Sequence, residues 1–177
     1  MKNKVLAAAR KLIASGVTPS QITVTELVTG NACTDAEFAA AFTTAAEFQR
    51  ELANLLFSEA REAVIKGTSG LRPGLQQLCA AFTTYLNHNL TDPALQELAH
   101  HIQCEPQGWD LLNRMEVGVA LVAQADLESM GATLCAARAR LLTALCVAVV
   151  RAEYRAKKIL PGWRDALLDL CKLAGHR

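Results

Sequence analysis

Apolar residues recur at spacings of three and four positions along most of this chain. The clearest stripe consists of Leu75, Leu78, Phe82 and Leu86. Side chains at these spacings share one face of an α-helix, whereas the side chains of a strand alternate with a period of two. No strand-like alternation follows Leu71. The sequence therefore predicts an all-α protein with about nine helices.

Glycine and proline residues mark where these helices stop. The densest cluster is Gly67-Thr68-Ser69-Gly70, which is followed by Pro73. We take this cluster as a domain boundary. The predicted parts are a small domain over 1–48, a connecting helix and linker over 49–70, and a larger helical domain over 71–177. Beside the helix that carries the stripe above, the main helices are predicted over residues 2–15, 44–66, 94–104, 109–127, 131–157 and 161–174.

The segment 22–48 predicts two short helices around a tight turn. Thr23 or Thr25 can cap the first helix and Thr34 the second, because a threonine hydroxyl accepts a hydrogen bond from the free N–H groups at a helix start. Gly30 supplies the break between the two helices. Two short helices joined in this way form the outline of a helix-turn-helix.

This outline resembles the N-terminal domain of the TetR family of transcriptional regulators. Residues 5–13, VLAAARKLI, are similar to the family's Ile-Leu-x-Ala-Ala-x-x-Leu-Ile pattern, and residues 32–42, ACTDAEFAAAF, correspond to its recognition helix. Phe38 and Phe42 share one face of that helix and can build the core of the small domain. The resemblance implies a TetR-like fold, in which a three-helix helix-turn-helix domain precedes a helical domain for ligand binding and dimerisation.

The recognition-helix segment departs from the family in its charge. Between Lys11 and Arg50 there are four carboxylates and no Lys, Arg or His. Binding to duplex DNA depends on cations that neutralise phosphates, and base recognition needs side chains long enough to reach the grooves. We therefore expect that this helix-turn-helix does not bind an operator unaided. Its candidate surface residues are Thr34, Asp35, Glu37, Ala39 and Ala41.

The larger domain can enclose a small molecule. In the TetR fold the corresponding helices surround an inducer pocket, and such pockets are mostly apolar with a few polar groups. The resemblance therefore implies a small apolar ligand. Aromatic and methionine side chains at helical spacing are also typical of an ordinary core, and this alternative stays open. The candidate pocket residues are Phe82, Tyr85, Cys104, Trp109 and Met115.

The last two helices are unusually apolar. Residues 141–150 are apolar on nearly all sides of the predicted helix, so most of those sides must be covered. In the TetR family the last two helices pair with their copies in a second subunit, which implies a homodimer. The alternative is that they complete the core of a monomer. The candidate interface residues are Leu141, Leu145, Val149, Trp163, Leu167 and Leu170.

Several other classes of protein are disfavoured by composition and motifs. The net charge is +1 and only 20% of residues are charged, so there is no general attraction to nucleic acid or to an anionic membrane. The absence of a membrane-length apolar run and of an export signal favours the cytoplasm, where the six cysteines behave as small buried hydrophobes. His100, His101 and Cys104 are too few ligands for a zinc site. We find no catalytic motif and expect neither enzyme activity nor a cofactor.

Three functions therefore remain. The first is a TetR-like regulator that lacks the usual DNA contacts and acts through a protein partner, such as another regulator, or through a bound small ligand. The second is a conventional ligand-responsive repressor of the same family, and the third is a helical small-molecule carrier or adaptor. The cations available to the second are Lys2, Lys4, Arg10, Lys11 and Arg50.

Overall fold

The computed structural model describes residues 1–30, 33–103 and 108–175. These residues form nine α-helices and no strand, which confirms the all-α prediction. A short 3₁₀ turn, Pro19–Gln21, lies between the first two helices. The helices are α1 Lys2–Ala14, α2 Val24–Thr29, α3 Asp35–Ala41, α4 Ala45–Gly67, α5 Leu75–Thr91, α6 Ala94–Ile102, α7 Gly108–Ser129, α8 Cys135–Ala156 and α9 Pro161–Ala174.

The start of α8 differs most from the sequence prediction, because residue 131 closes α7 instead of opening α8. Gly131 has a φ of 70°, and its N–H donates to the carbonyl of Glu128. The N–H of Ala132 donates to the carbonyl of Leu127. This pair of bonds is a Schellman cap, which needs a residue with positive φ and therefore favours glycine. Helix α8 begins only after this cap, at Cys135.

The first three helices pack around a cluster of aromatic rings. Phe38 and Phe42 project from the recognition-helix segment, and Phe48 projects from the start of α4. The three ring centroids lie 5.3 to 5.5 Å apart in tilted and edge-to-face arrangements, which are the favoured geometries for aromatic pairs. Because α4 contributes one of the rings, the small helical unit is joined to the rest of the chain through this helix.

Helix α8 lies at the centre of the larger part and packs against α5, α6, α7 and α9. Its buried face includes Ala139, Leu142, Cys146, Val149 and Val150. Since α8 is in contact with four helices, it buries more than one stripe of its surface. This arrangement accounts for much of the apolar character of residues 141–150 within one protomer.

A buried ion pair joins α8 to α9. Glu153 is only 2% exposed and accepts two hydrogen bonds of 2.7 Å from the Arg164 guanidinium. It also accepts one from the N–H of Leu160, immediately before α9. Burial by itself raises the pKa of Glu153, but the bonds from Arg164 and Leu160 outweigh that effect and hold the pKa below its usual range. The remaining Arg164 nitrogen donates to Asn87 on α5. The pair therefore connects α5, α8 and α9.

Arg164→Ala should lower the free energy of unfolding by roughly 3–5 kcal/mol, because it leaves a buried carboxylate without its cation. Urea denaturation at neutral pH, followed by circular dichroism, measures the change. A carboxyl with a lowered folded-state pKa stabilises the fold above its unfolded pKa of about 4.3 and loses that contribution as the pH falls through the folded value. The difference between the variant and the wild type should therefore narrow in acid.

Asp169→Ala is the matched control, because it breaks an ion pair to Lys172 in which both side chains are largely exposed. Exposed pairs of this kind contribute little to stability. An equal loss of stability in the two variants would contradict the role assigned to the buried pair.

Candidate ligand cavity and helix-turn-helix surface

Helix α3 begins with a reciprocal cap. The N–H of Glu37 donates to the Thr34 hydroxyl at 3.1 Å, and the Glu37 carboxylate accepts from the N–H of Thr34 at 2.8 Å. Asp35 and Ala39 are exposed on this short helix, as predicted for a surface. Ala41 is instead 5% exposed and belongs to the core. Its place at the end of α3, one turn after the buried Phe38, turns its methyl group inward.

The lysines of α1 are paired with carboxylates of the helix-turn-helix segment. Lys4 lies 2.9 Å from Glu37, and Lys2 lies 2.7 Å from Glu47. The bond from Lys2, together with one from the backbone of Thr43, lowers the pKa of Glu47 to about 2. These contacts join α1 to the starts of α3 and α4. Glu37 and Glu47 thus have lysine partners on α1.

Arg10 also forms ion pairs with carboxylates of the chain. Its guanidinium lies 2.9 Å from Glu59 on α4 and also bonds to Asp92, immediately after α5. Three of the five cations that a DNA-binding alternative requires are therefore held by carboxylates of the chain itself. Of the remaining two, Lys11 and Arg50, neither lies on α3.

A cavity of about 520 Å³ lies between α4, α5 and α7. Volumes of this order are typical of sites for drug-sized molecules. Three large apolar side chains at its edge, Ile65, Leu121 and Val122, are half or more exposed, so the cavity has an apolar rim. The aromatic and aliphatic walls include Phe57, Leu78, Phe82, Tyr85, Val119 and Ala123.

The predicted pocket residues are divided by the structure. Phe82 and Tyr85 line the large cavity. Met115 lines a separate cavity of about 40 Å³, which also contacts Tyr85. Cys104 and the side chain of Trp109 lie outside the described residues, so their place in the pocket stays a prediction.

Two side chains that line the large cavity each carry a buried oxygen without a hydrogen-bond partner among the described residues. Asp126 is 1% exposed, and one of its carboxylate oxygens accepts from the N–H of Gly74 at 3.0 Å. Within the described residues, its other oxygen and the side-chain oxygen of Gln77 have no hydrogen-bond partner. Desolvation raises the pKa of Asp126, and the Gly74 bond only partly opposes this.

Asp126 was not predicted as a pocket residue, although the sequence contains a signal for it. The apolar stripe of α7 runs through Met115, Val119 and Val122, and the next position of the same stripe is residue 126. A carboxylate in an apolar stripe indicates either a buried ion pair or a binding site. Gln77 carried no such signal, because glutamine on a helix is more often exposed.

An exposed apolar face covers parts of α8 and α9. On α8 it consists of Leu141 and three exposed alanines, at positions 137, 144 and 148. On α9 it consists of Trp163, Ala166, Leu170 and Leu173. Leu141 is 62% exposed and Trp163 is 54% exposed, which is unusual for such large apolar side chains.

The six predicted interface residues are therefore not equivalent. Leu141, Trp163 and Leu170 belong to the exposed face, and Leu145 is half-buried. Val149 and Leu167 lie in the core of the protomer, because these positions point toward the contact between α8 and its neighbours. Dimerisation itself stays a prediction.

Comparisons with protein-family models, with curated proteins and with solved structures gave no match for this chain. Within the described ranges, none of the helices combines the length and the apolar character that crossing a bilayer requires. No group of three or more potential metal ligands occurs in that part of the chain either. The candidate sites are thus the cavity, the exposed surface of α3, and the exposed apolar face of α8 and α9.

If the exposed face of α8 and α9 pairs with a second copy, sedimentation equilibrium should give twice the chain mass of 19.1 kDa. Leu141→Glu combined with Trp163→Glu should yield a monomer, because burying two unpaired carboxylates opposes association. The circular dichroism spectrum should stay unchanged, since both side chains are exposed in the protomer.

Leu121→Glu is the control, because Leu121 is 61% exposed but lies on α7. This variant should keep the mass of the wild type. A wild-type mass of one chain would show that the apolar face does not pair copies of the protein.

Proposed function

We propose that this chain is a TetR-like regulator that does not bind DNA through its own helix-turn-helix, and that it acts through a small ligand in the cavity of the larger domain. The observation that carries the proposal is the internal pairing of Lys2 and Lys4 with Glu47 and Glu37. The cations nearest to α3 are engaged with its own domain, and α3 presents a carboxylate and alanines.

Electrostatics supports the loss of DNA binding. Each phosphate contact on duplex DNA draws its free energy from a protein cation that displaces a condensed counterion. A lysine that must first leave a carboxylate partner contributes less to this exchange. The exposed carboxylate of Asp35, at the start of α3, would repel the phosphate backbone.

The position of the cavity supports ligand control. Phe57 and Arg61 of α4 line the cavity, and Phe48 at the other end of the same helix packs against Phe38 and Phe42. Helix α4 has 23 residues and is about 34 Å long at 1.5 Å per residue. A ligand that moves α4 would therefore also move the aromatic cluster of the helix-turn-helix. A partner protein would detect the resulting shift of the exposed helix-turn-helix surface around that cluster.

Fluorescence anisotropy with labelled random-sequence duplex DNA, measured across a salt series, tests the proposal. The wild type should not bind even at low salt, because its helix-turn-helix surface is acidic. A variant with Asp35→Lys, Ala36→Lys and Ala39→Lys should gain salt-dependent binding, since it places three cations on exposed positions of α3.

Three lysines at exposed positions of α7, introduced as Asp110→Lys, Asn113→Lys and Ala125→Lys, add the same charge and form the control for non-specific charge. This control should bind DNA less tightly than the α3 variant. Salt-dependent and sequence-selective binding by the wild type would contradict the proposal and favour a conventional repressor.

A further inference from the structure

The carboxylate of Asp126, which lines the large cavity, favours ligands that carry a hydrogen-bond donor. Asp126 lies on α7, is one of the residues that line the cavity and is 1% exposed. Gly74 satisfies only one of its two oxygens. A buried acceptor without a donor loses the hydrogen bonds that water would supply, and the loss is larger for a charged group. A ligand that brings a donor to this oxygen therefore gains more than a ligand that brings only apolar surface.

A second side chain with an unsatisfied acceptor lines the same cavity from a different helix. The side-chain oxygen of Gln77 on α5 is buried and has no donor among the described residues. An amide oxygen can only accept hydrogen bonds, and so can an ionised carboxylate. Both unsatisfied atoms thus require N–H or O–H groups from whatever occupies the cavity.

We propose that the cavity binds a molecule with an apolar body and a primary ammonium group, whose N–H donors are received by Asp126 and Gln77. This inference rests on the proposed ligand response and names the chemical class of the ligand. An ammonium group carries three donors and the charge opposite to the carboxylate. Phe57, Leu78 and Phe82 provide the apolar surface for the rest of the molecule.

The charges around the cavity favour a cation over an anion. Arg61 is the only other charged residue among the described residues that line the cavity, and it is exposed to solvent. Water and salt screen an exposed charge, whereas a buried charge acts in a medium of lower dielectric constant. Asp126 therefore has the stronger influence on a ligand inside the cavity. The raised pKa of Asp126 agrees with a carboxylate that lacks its counter-charge.

Calorimetric titration with octylamine, octanol and octanoate tests this inference, because the three compounds share one apolar chain and differ in the terminal group. Octylamine should bind tightest to the wild type. Asp126→Asn should weaken the binding of octylamine about tenfold or more and change that of octanol much less, since a hydrogen bond between charged groups is stronger than one to a neutral amide. The amide introduced by this substitution keeps an acceptor oxygen for the N–H of Gly74, and the loss of a buried charge should not lower the melting temperature.

Asp110→Asn is the control for the loss of one negative charge, because Asp110 is an exposed residue of the same helix. It should leave the three affinities unchanged. Gly118→Leu tests whether the compounds occupy the cavity. Gly118 lines the cavity, and a Cβ added there meets no atom within 4 Å, so the fold should tolerate the side chain. All three compounds should bind more weakly to this variant.

Two results would overturn the inference while leaving a ligand-binding regulator in place. They are tightest binding of octanoate, and an unchanged octylamine affinity in Asp126→Asn. Binding that Gly118→Leu does not weaken would place the compounds outside the cavity and would also overturn it. If none of the compounds binds the wild type, both the ligand class and the proposed ligand response fail, whereas the DNA titration still tests the helix-turn-helix separately.

Discussion

The larger part of this structure depends on how buried charge is compensated. Two of its carboxylates are equally buried but differ in their hydrogen-bond partners. Glu153 is enclosed by Arg164 and by the N–H of Leu160, so its charge is compensated within the protomer and helps to fix α8 against α9. Asp126 is equally buried, but it has one backbone donor and one oxygen without a partner among the described residues. The first carboxylate stabilises the fold, whereas the second has an oxygen that can still accept a hydrogen bond from a ligand in the cavity.

The N-terminal unit and the larger part of the chain also differ in whether their side chains have partners. In the N-terminal unit, Glu37 both caps α3 and pairs with Lys4, and Glu47 both binds the backbone of Thr43 and pairs with Lys2. These two glutamates therefore stabilise the N-terminal unit itself. In the larger part, exposed apolar side chains and the two acceptors in the cavity lack partners within the described protomer. This distribution favours the proposal that ligand binding and association belong to the larger part.

The sequence predicted the helices well because their signals are local. Apolar spacing, threonine caps and glycine or proline stops all act within a few residues, and they placed α1 to α7 and α9 within a few residues of their observed bounds. The start of α8 was wrong by four residues, since Gly131 can end one helix or precede the next. The pocket was predicted from Phe82 and Tyr85, but its polar atoms were not, because a carboxylate in a stripe does not reveal whether a cation lies opposite.

The sequence by itself determined the all-α class, the order of the helices and the absence of cations from α3, since each follows from residue identity and short-range spacing. Only the tertiary structure decided which charges are paired. Lys2 and Glu47 are 45 positions apart, and Arg10 and Asp92 are 82 apart, so no periodicity connects them. It also decided that Asp126 lines a cavity, because that cavity exists only where α4, α5 and α7 pack with a gap between them. Such gaps depend on how distant side chains fit together, which local patterns do not encode.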